Sequence, residues 1–432
     1  MLSTTPPSDR DEAARAVLRR NDRGGFTVPN GRVYPFQWNW DSAFVALGFA
    51  TFDLDRAWRE LETLFEGQWD DGMVPHIVFR APADGYYPGP EAWGIQRQPL
   101  TSGISQPPVA ATAARVLHGL SGRDATRIRA LVPKLFASHR WWHETRDPDG
   151  TGLVTMVHPW ESGRDNSPDW DEPLANVVPQ VDVAHLRKDL GHVDAAHRPT
   201  HDFYNRVMTL VEEAKALHWN GVAVARGLSF RVCDLGIQSI LLRADRDLLK
   251  LAEVLGFTEE AAALQGWIAR SEKAMSRLKG PDGLYRSLDL RSGRLSEAVT
   301  CAAYLPLYAR MASQEDALAL KRHLAATRAA AGFSVASSDP RDRRFDATRY
   351  WRGPVWLMMN RMIADGFAAY GLTEEAGLLR RDSADLVRQN GFWEYFDPRD
   401  GTGCGGPDFS WTAAMWLSWA GSQDDRQALT GL

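Results

Sequence analysis

Cysteine is scarce in this chain. Cys233, Cys301 and Cys404 are the three in 432 residues, far apart and without a CxxC spacing. An odd, dispersed set excludes a disulfide framework and predicts reduced thiols, as in the cytoplasm. No apolar run approaches the roughly 18 residues that a membrane span needs. The opening stretch MLSTTPPSDRDEAARAV carries no apolar segment of the secretory kind. Together these absences predict a soluble, cytoplasmic protein with no membrane partner. A basic excess is lacking too: 50 Lys and Arg stand against 55 Asp and Glu, a net charge of -5. That balance does not suit a nucleic-acid partner. There is no HExxH and no His/Asp cluster with ligand spacing, so no metal and no cofactor are expected.

Tryptophan, by contrast, is abundant, with 17 in the chain. Trp38, Trp40, Trp69, Trp93, Trp160, Trp170, Trp351, Trp356, Trp393 and Trp411 fall in segments dense in Gly, Pro and carboxylates. A Trp in such a segment is suited to present a flat apolar face to a ligand. Sugars have apolar C–H faces rimmed by hydroxyls, so aromatic platforms among Asp, Gln and Arg fit them.

Helical periodicity dominates elsewhere. It marks 41–50, 55–67, 108–121, 126–144, 228–244, 247–256, 258–278, 295–311, 314–328, 353–370, 373–390 and 410–420, with C-cap glycines at Gly371 and Gly391. Strand signals are short, at 74–79 and 152–158. Short turns alternate with long aromatic-rich loops, so the expected fold is all-α. It is read as one (α/α)6 barrel of helical hairpins spanning 1–432, with the long loops forming the active-site face. Residues 171–205, polar and without a clean period, are read as a lid-like insertion.

Glycoside hydrolysis needs one carboxylic acid to protonate the leaving oxygen and a second carboxylate on the opposite ring face. Asp41, Glu161, Asp165, Asp169, Asp171, Glu394 and Asp397 all lie in aromatic-rich loop segments, and composition does not choose between them. The set of WNWDSAF (38–44), SQPPVA (105–110), HPWESGRDNSPDWD (158–171), YWRGPVW (350–356), FWEYFDP (392–398) and FSWTAA (409–414) resembles glycoside hydrolase family 63. Within it the likeness is to the bacterial mannosylglycerate and glucosylglycerate hydrolases. The motifs run in family order and span nearly the whole chain.

The resemblance implies an (α/α)6 barrel that hydrolyses α-glycosides with inversion and without metal. It implies that Asp165 is the general acid and Glu394 the general base. It places Tyr34, Trp38, Trp40, Asp41, Tyr86, Gln106, Trp160, Tyr350, Trp351 and Trp356 around the sugar, with Trp160 and Trp351 as stacking walls. Arg198 and Tyr204 resemble the part of the subfamily that contacts glycerate. The expected partner is therefore a small glycoside, α-mannosylglycerate or α-glucosylglycerate; homo-oligomerisation is left open.

Unlike the larger eukaryotic members, the chain shows no signal or anchor and has no room for their added β-rich domain. Three other readings stand beside this one. The first is an α-glucosidase or α-mannosidase acting on a neutral oligosaccharide. The second is a polysaccharide lyase, which would draw on Tyr with His76 or His158. The third is a non-catalytic sugar-binding protein, which would be expected to lack Asp165 or Glu394.

Overall fold

The computed structural model describes residues 9–82, 85–188, 191 and 194–421. Among them, twelve helices alternate between an outer and an inner position. The outer ones are α1 (Asp9–Asn21), α3 (Leu54–Leu64), α5 (Thr126–Arg140), α7 (Thr258–Met275), α9 (Gln314–Ala331) and α11 (Thr373–Asn390). The inner ones are α2 (Asn39–Phe49), α4 (Ala110–Leu120), α6 (Leu235–Leu255), α8 (Leu305–Tyr308), α10 (Leu357–Ala369) and α12 (Ser410–Met415). The inner helices close a ring. Each packs on the next from α2 to α12, and α12 packs back on α2. This is an (α/α)6 barrel.

The burial pattern follows from that placement. Every residue of α2 is buried, because an inner helix has barrel interior on one side and outer helices on the other. The outer α3 buries one face only, through residues such as Ala57, Trp58, Leu61 and Leu64. Inner helices therefore read as nearly continuous apolar runs and outer ones as amphipathic stripes.

Connections from an inner to the following outer helix are short and capped by local chemistry. Asp53 accepts from Arg56 N at 2.9 Å to start α3. Ser313 and Asp316 form a reciprocal capping box on α9. Connections from outer to inner helices are long, and all of them enter the N-terminal ends of the inner ring. They carry the small sheets: β1 (Gln37–Trp38), β2 (Ile77–Phe79) and β3 (Leu100–Thr101) form one antiparallel sheet.

Several expected boundaries move. The stretches 228–244 and 247–256 merge into one helix, α6, that starts only at Leu235, behind the strand Val232–Cys233 and the cap Asp234, and ends at Gly256 with φ 77. Asp245, in the gap between them, is buried against His139 and His143 and so does not interrupt the helix. The helix expected at 295–311 shrinks to α8 behind a 3-10 turn, Cys301–Tyr304. The strand at 152–158 is a single bridge from Met156 to Val232. The sequence reading does not mark α1, the helix His201–Ala216 or the short helices Pro90–Trp93, Asp171–Ala175 and Gly221–Gly227. Between 176 and 200 the described residues hold nothing longer than the three-residue turns Ala184–Leu186 and Ala195–His197; 189, 190, 192 and 193 of the 171–205 segment lie outside the described residues. Among the described residues no helix is long and apolar enough to cross a membrane.

Candidate active site

The long loops surround one cavity of about 800 Å³ of atom-free space at the N-terminal ends of the inner helices. Its walls include Tyr34, Trp38, Trp40, Asp41, Tyr86, Gln106, Trp160, Asp165, Arg198, Tyr204, Tyr350 and Glu394. Twelve of the fourteen residues singled out in the sequence thus meet in one place.

Their positions follow from local structure. Trp38 ends β1 and precedes α2, so Trp40 and Asp41 fall in the first turn of an inner helix and face inward. Gln106 Oε1 accepts from Trp40 N at 3.3 Å, tying two loops together. Asp165 sits between two 3-10 turns, Pro159–Ser162 and Pro168–Trp170. Gly163, at φ 66, lets this loop pass Trp40; a Cβ there would lie 2.4 Å from the indole. The backbone carbonyl of Asp165 accepts from Trp170 Nε1 at 2.9 Å. Its neighbour Arg164 is buried and ion-paired to Asp169 and Asp234, which fixes the loop from behind.

Glu394 lies in the loop that leads into α12. It accepts from Tyr34 Oη at 2.9 Å and from Gly406 N at 3.3 Å. Arg198 Nη1 in turn donates to Tyr34 Oη at 2.9 Å, and its guanidinium lies 4.5 Å from the centre of the Tyr350 ring. A hydrogen-bonded line therefore runs from the 171–205 segment through Tyr34 to Glu394.

The structure separates the seven candidate carboxylates by what holds them. Arg146 binds Glu161, Arg164 binds Asp169, Arg352 binds Asp171 and Arg399 binds Asp397. Asp41, Asp165 and Glu394 instead line the cavity. Burial pushes Asp165 up to about 7, with Glu394 adding to the rise and Arg198 opposing it. Burial also pushes Glu394 up to about 7, against Arg198, Tyr34 and the Gly406 amide. Burial holds Asp41 well above the ordinary carboxylate range, with Glu394, Glu60 and Asp165 adding to it.

Two of the tryptophans that the resemblance places around the sugar are not among the residues lining this cavity. Trp351 and Trp356 stack on each other at 3.9 Å and 2°, and each is 1% exposed. They form a second layer, behind Trp40 and Trp411, instead of a wall of the cavity. Trp160 does face the cavity and stacks on His76, 6.2 Å between ring centres. His76, Tyr87, Lys188, Phe409 and Trp411 also line it and were not singled out as site residues. Phe409 and Trp411 belong to the FSWTAA motif and Tyr87 follows Tyr86, so a signal was there for these three.

The histidines open to a lyase are poorly placed for proton abstraction. His158 Nε2 donates to Val207 O at 3.0 Å while Nδ1 accepts from Trp160 N, and burial pushes its pKa down to about 3. Burial likewise holds His76 well below the ordinary histidine range.

Buried carboxyls poised near neutrality, aromatic walls and a closed ring of six helix pairs are the parts of a glycoside hydrolase. The match to known proteins is specific. Residues 34–412 match the model of the mannosylglycerate hydrolase MGH1-like glycoside hydrolase domain. Mannosylglycerate hydrolase MGH1 of Selaginella moellendorffii is 47% identical over 421 residues, 96% of this chain and 86% of that one. Glucosylglycerate hydrolase of Mycolicibacterium hassiacum is 35% identical over 436 residues, 95% of this chain and 97% of that one. The solved GH63 mannosylglycerate hydrolase of Thermus thermophilus, in complex with Tris and D-glycerate, superposes with a TM-score of 0.91. It is 44% identical, and the match covers 94% of this chain and 98% of that one. This chain belongs to the MGH1-like family of GH63 glycoside hydrolases.

Proposed function

We propose that the enzyme is an inverting hydrolase of a small α-glycoside of glycerate, α-mannosylglycerate or α-glucosylglycerate, releasing the sugar and glycerate. Asp165 is the general acid and Glu394 the general base. The observation that carries this assignment is the asymmetry between two carboxyls raised to the same range. Glu394 accepts two hydrogen bonds, which favour its anion, and once Glu394 is ionised its charge makes ionisation of Asp165 harder. The first proton lost by the pair therefore comes from Glu394, leaving a protonated acid and an ionised base near neutral pH.

In the bound state Asp165 protonates the glycosidic oxygen as it leaves. Glu394 takes a proton from the water that attacks the anomeric carbon from the opposite face. Asp41 accepts from sugar hydroxyls, Gln106 donates to and accepts from them, and Trp160 packs on a C–H face. Arg198 and Tyr204 meet the glycerate end, where a guanidinium supplies a charge-assisted donor to the carboxylate. The 171–205 segment acts as a cover, in keeping with the anchoring of Arg198 on Tyr34 and Tyr350. The three buried free thiols support action in the reducing cytoplasm.

A hydrolysis screen over α-mannosylglycerate, α-glucosylglycerate and neutral α-disaccharides, followed by NMR before mutarotation, tests the reading. Cleavage of a glycerate glycoside with the β sugar formed first is expected. Initial release of the α anomer contradicts inversion, and faster cleavage of a neutral disaccharide contradicts the glycerate assignment.

A further inference from the structure

The opposite end of the barrel has its own recess, formed by α6, the outer α7 and the turn after α8, with about 990 Å³ of atom-free space open to solvent. It lies far from the catalytic cavity. Asp234, beside Arg164, caps one end of α6, and Arg246 stands roughly 18 Å further along at 1.5 Å per residue.

Basic side chains converge there from separate elements. Arg243, Arg246 and Lys250 come from α6 and Arg310 from the turn, while Arg115 of α4 stands just behind; Glu253 of α6 and Glu272 of α7 line the recess as well. A buried carboxylate among them, Asp247, is shared: Arg115 Nε lies 2.9 Å from one oxygen and Arg243 Nε 2.8 Å from the other, and Asp365 faces Arg243 and Arg310 as well. Arg246 pairs outward with Glu272, and Lys250 has no ion pair among the described residues. Burial, then Arg115, Arg310 and Arg243, push the Lys250 ammonium down; burial, Arg243, Arg115 and Arg246 do the same to Arg310.

Helix C-termini attract cations through their free carbonyls, and Arg246 Nε does donate to Ala309 O at 3.0 Å. That accounts for Arg246, and Asp247 holds Arg115 and Arg243. Arg115 and Arg243 stand mid-helix, beyond the reach of their own helix ends.

The backbone gives a second, independent sign. Arg310 N donates to Leu307 O and Met311 N to Pro306 O, which closes a Schellman turn with Arg310 at the left-handed position, φ 57. Glycine is favoured there, and a side-chain-bearing residue in this region carries strain. Here the position holds an arginine whose side chain lines the recess.

We propose that this recess binds a doubly charged oxyanion of the phosphate class, as free phosphate or as a small phosphate monoester. Guanidinium groups suit its geometry, donating in pairs to tetrahedral oxygens, and Lys250 adds a point charge at the rim.

Thermal unfolding of the full chain in rising inorganic phosphate or glycerol phosphate, with ionic strength matched by sodium chloride, tests this. A saturating rise in Tm is expected, and the probe that saturates at lower concentration identifies the form preferred. Arg310→Gly removes a guanidinium where glycine fits the backbone, so the variant folds and keeps its basal activity. Its apparent Kd for phosphate should rise about tenfold or more, the usual effect of losing a charged hydrogen bond. Lys250→Gln should weaken binding by less. Absence of a saturating rise overturns the proposal. So does a rise that survives unchanged in Arg310→Gly and is lost in Arg198→Ala, since phosphate would then occupy the catalytic cavity.

Discussion

The two ends of the barrel treat charge in opposite ways. At the N-terminal ends of the inner helices, the buried Asp41 and Glu394 and the half-buried Asp165 surround an open cavity, and each is raised above its ordinary range. At the other end the buried Asp247 is clasped by two arginines. A carboxylate that is fully paired is stable and chemically idle. One that is desolvated without a matching cation stays reactive and costs stability. The comparison separates the working end of the molecule from the part that holds it in shape.

Mutation should expose that difference most strongly in the rate. Asp165→Ala and Glu394→Ala are each expected to lower kcat by roughly 10²–10⁴, the usual contribution of a general acid or base. Steady-state kinetics on the glycerate glycoside checks this. Retention of more than about a tenth of kcat would remove the residue from its assigned role.

Stability should divide the two ends by sign. With its folded pKa at about 7, Asp165 binds a proton that the unfolded chain has already released above the ordinary carboxylate range. Stability from this group is therefore lost as pH rises from about 4 to 7. Asp165→Asn removes that slope, and its Tm at pH 7 should exceed that of the parent. Asp247→Asn instead leaves Arg115 and Arg243 without their counter-charge and should cost about 3 kcal/mol in denaturant unfolding. Equal effects at the two sites would erase the distinction.

The next effect concerns selectivity inside the cavity. Arg198→Ala should raise KM for a carboxylate-bearing glycoside about ten- to a hundredfold. An uncharged glycoside of the same sugar should suffer far less. Because Arg198 also lowers Asp165 and Glu394, its loss should shift the pH profile for either substrate upward. Equal KM penalties on the two substrates would show that Arg198 does not read the carboxylate.

The smallest effect should be on the acid limb of the pH profile. kcat/KM is expected to rise as Glu394 loses its proton and to fall as Asp165 loses its own, with both limbs near neutrality. Tyr34 Oη donates to Glu394 and so favours the anion. Tyr34→Phe should move the acid limb to higher pH while leaving inversion unchanged. An acid limb that does not move would uncouple Tyr34 from the base.

Much of this was legible in the sequence, for physical reasons. Inner helices read as apolar runs, outer ones as stripes, and the motif loops fall between them, so the ring of hairpins follows from periodicity. Side-chain direction in the loops does not. YWRGPVW sends Tyr350 to the cavity and Trp351 and Trp356 behind it, and nothing in the heptapeptide distinguishes the two. The choice among seven carboxylates depended on which of them the fold pairs with an arginine. Arg352 lies 181 residues from Asp171 and Arg146 15 from Glu161, while Arg164 and Arg399 are near neighbours of Asp169 and Asp397. α8 was overestimated because the preceding Ala-rich stretch has helical composition, while the bridge from Thr300 to Ser338 holds the start of that stretch extended.

The division of labour between Asp165 and Glu394 is tested most directly with an α-glycosyl fluoride of the preferred sugar. Fluoride departs without protonation, so the substrate needs a base but no general acid. Asp165→Asn should recover activity on the fluoride to within roughly tenfold of the parent enzyme, having lost roughly 10²–10⁴ on the natural glycoside. Glu394→Gln should remain inactive on both. Recovery by Glu394→Gln and none by Asp165→Asn would reverse the two roles and contradict the account.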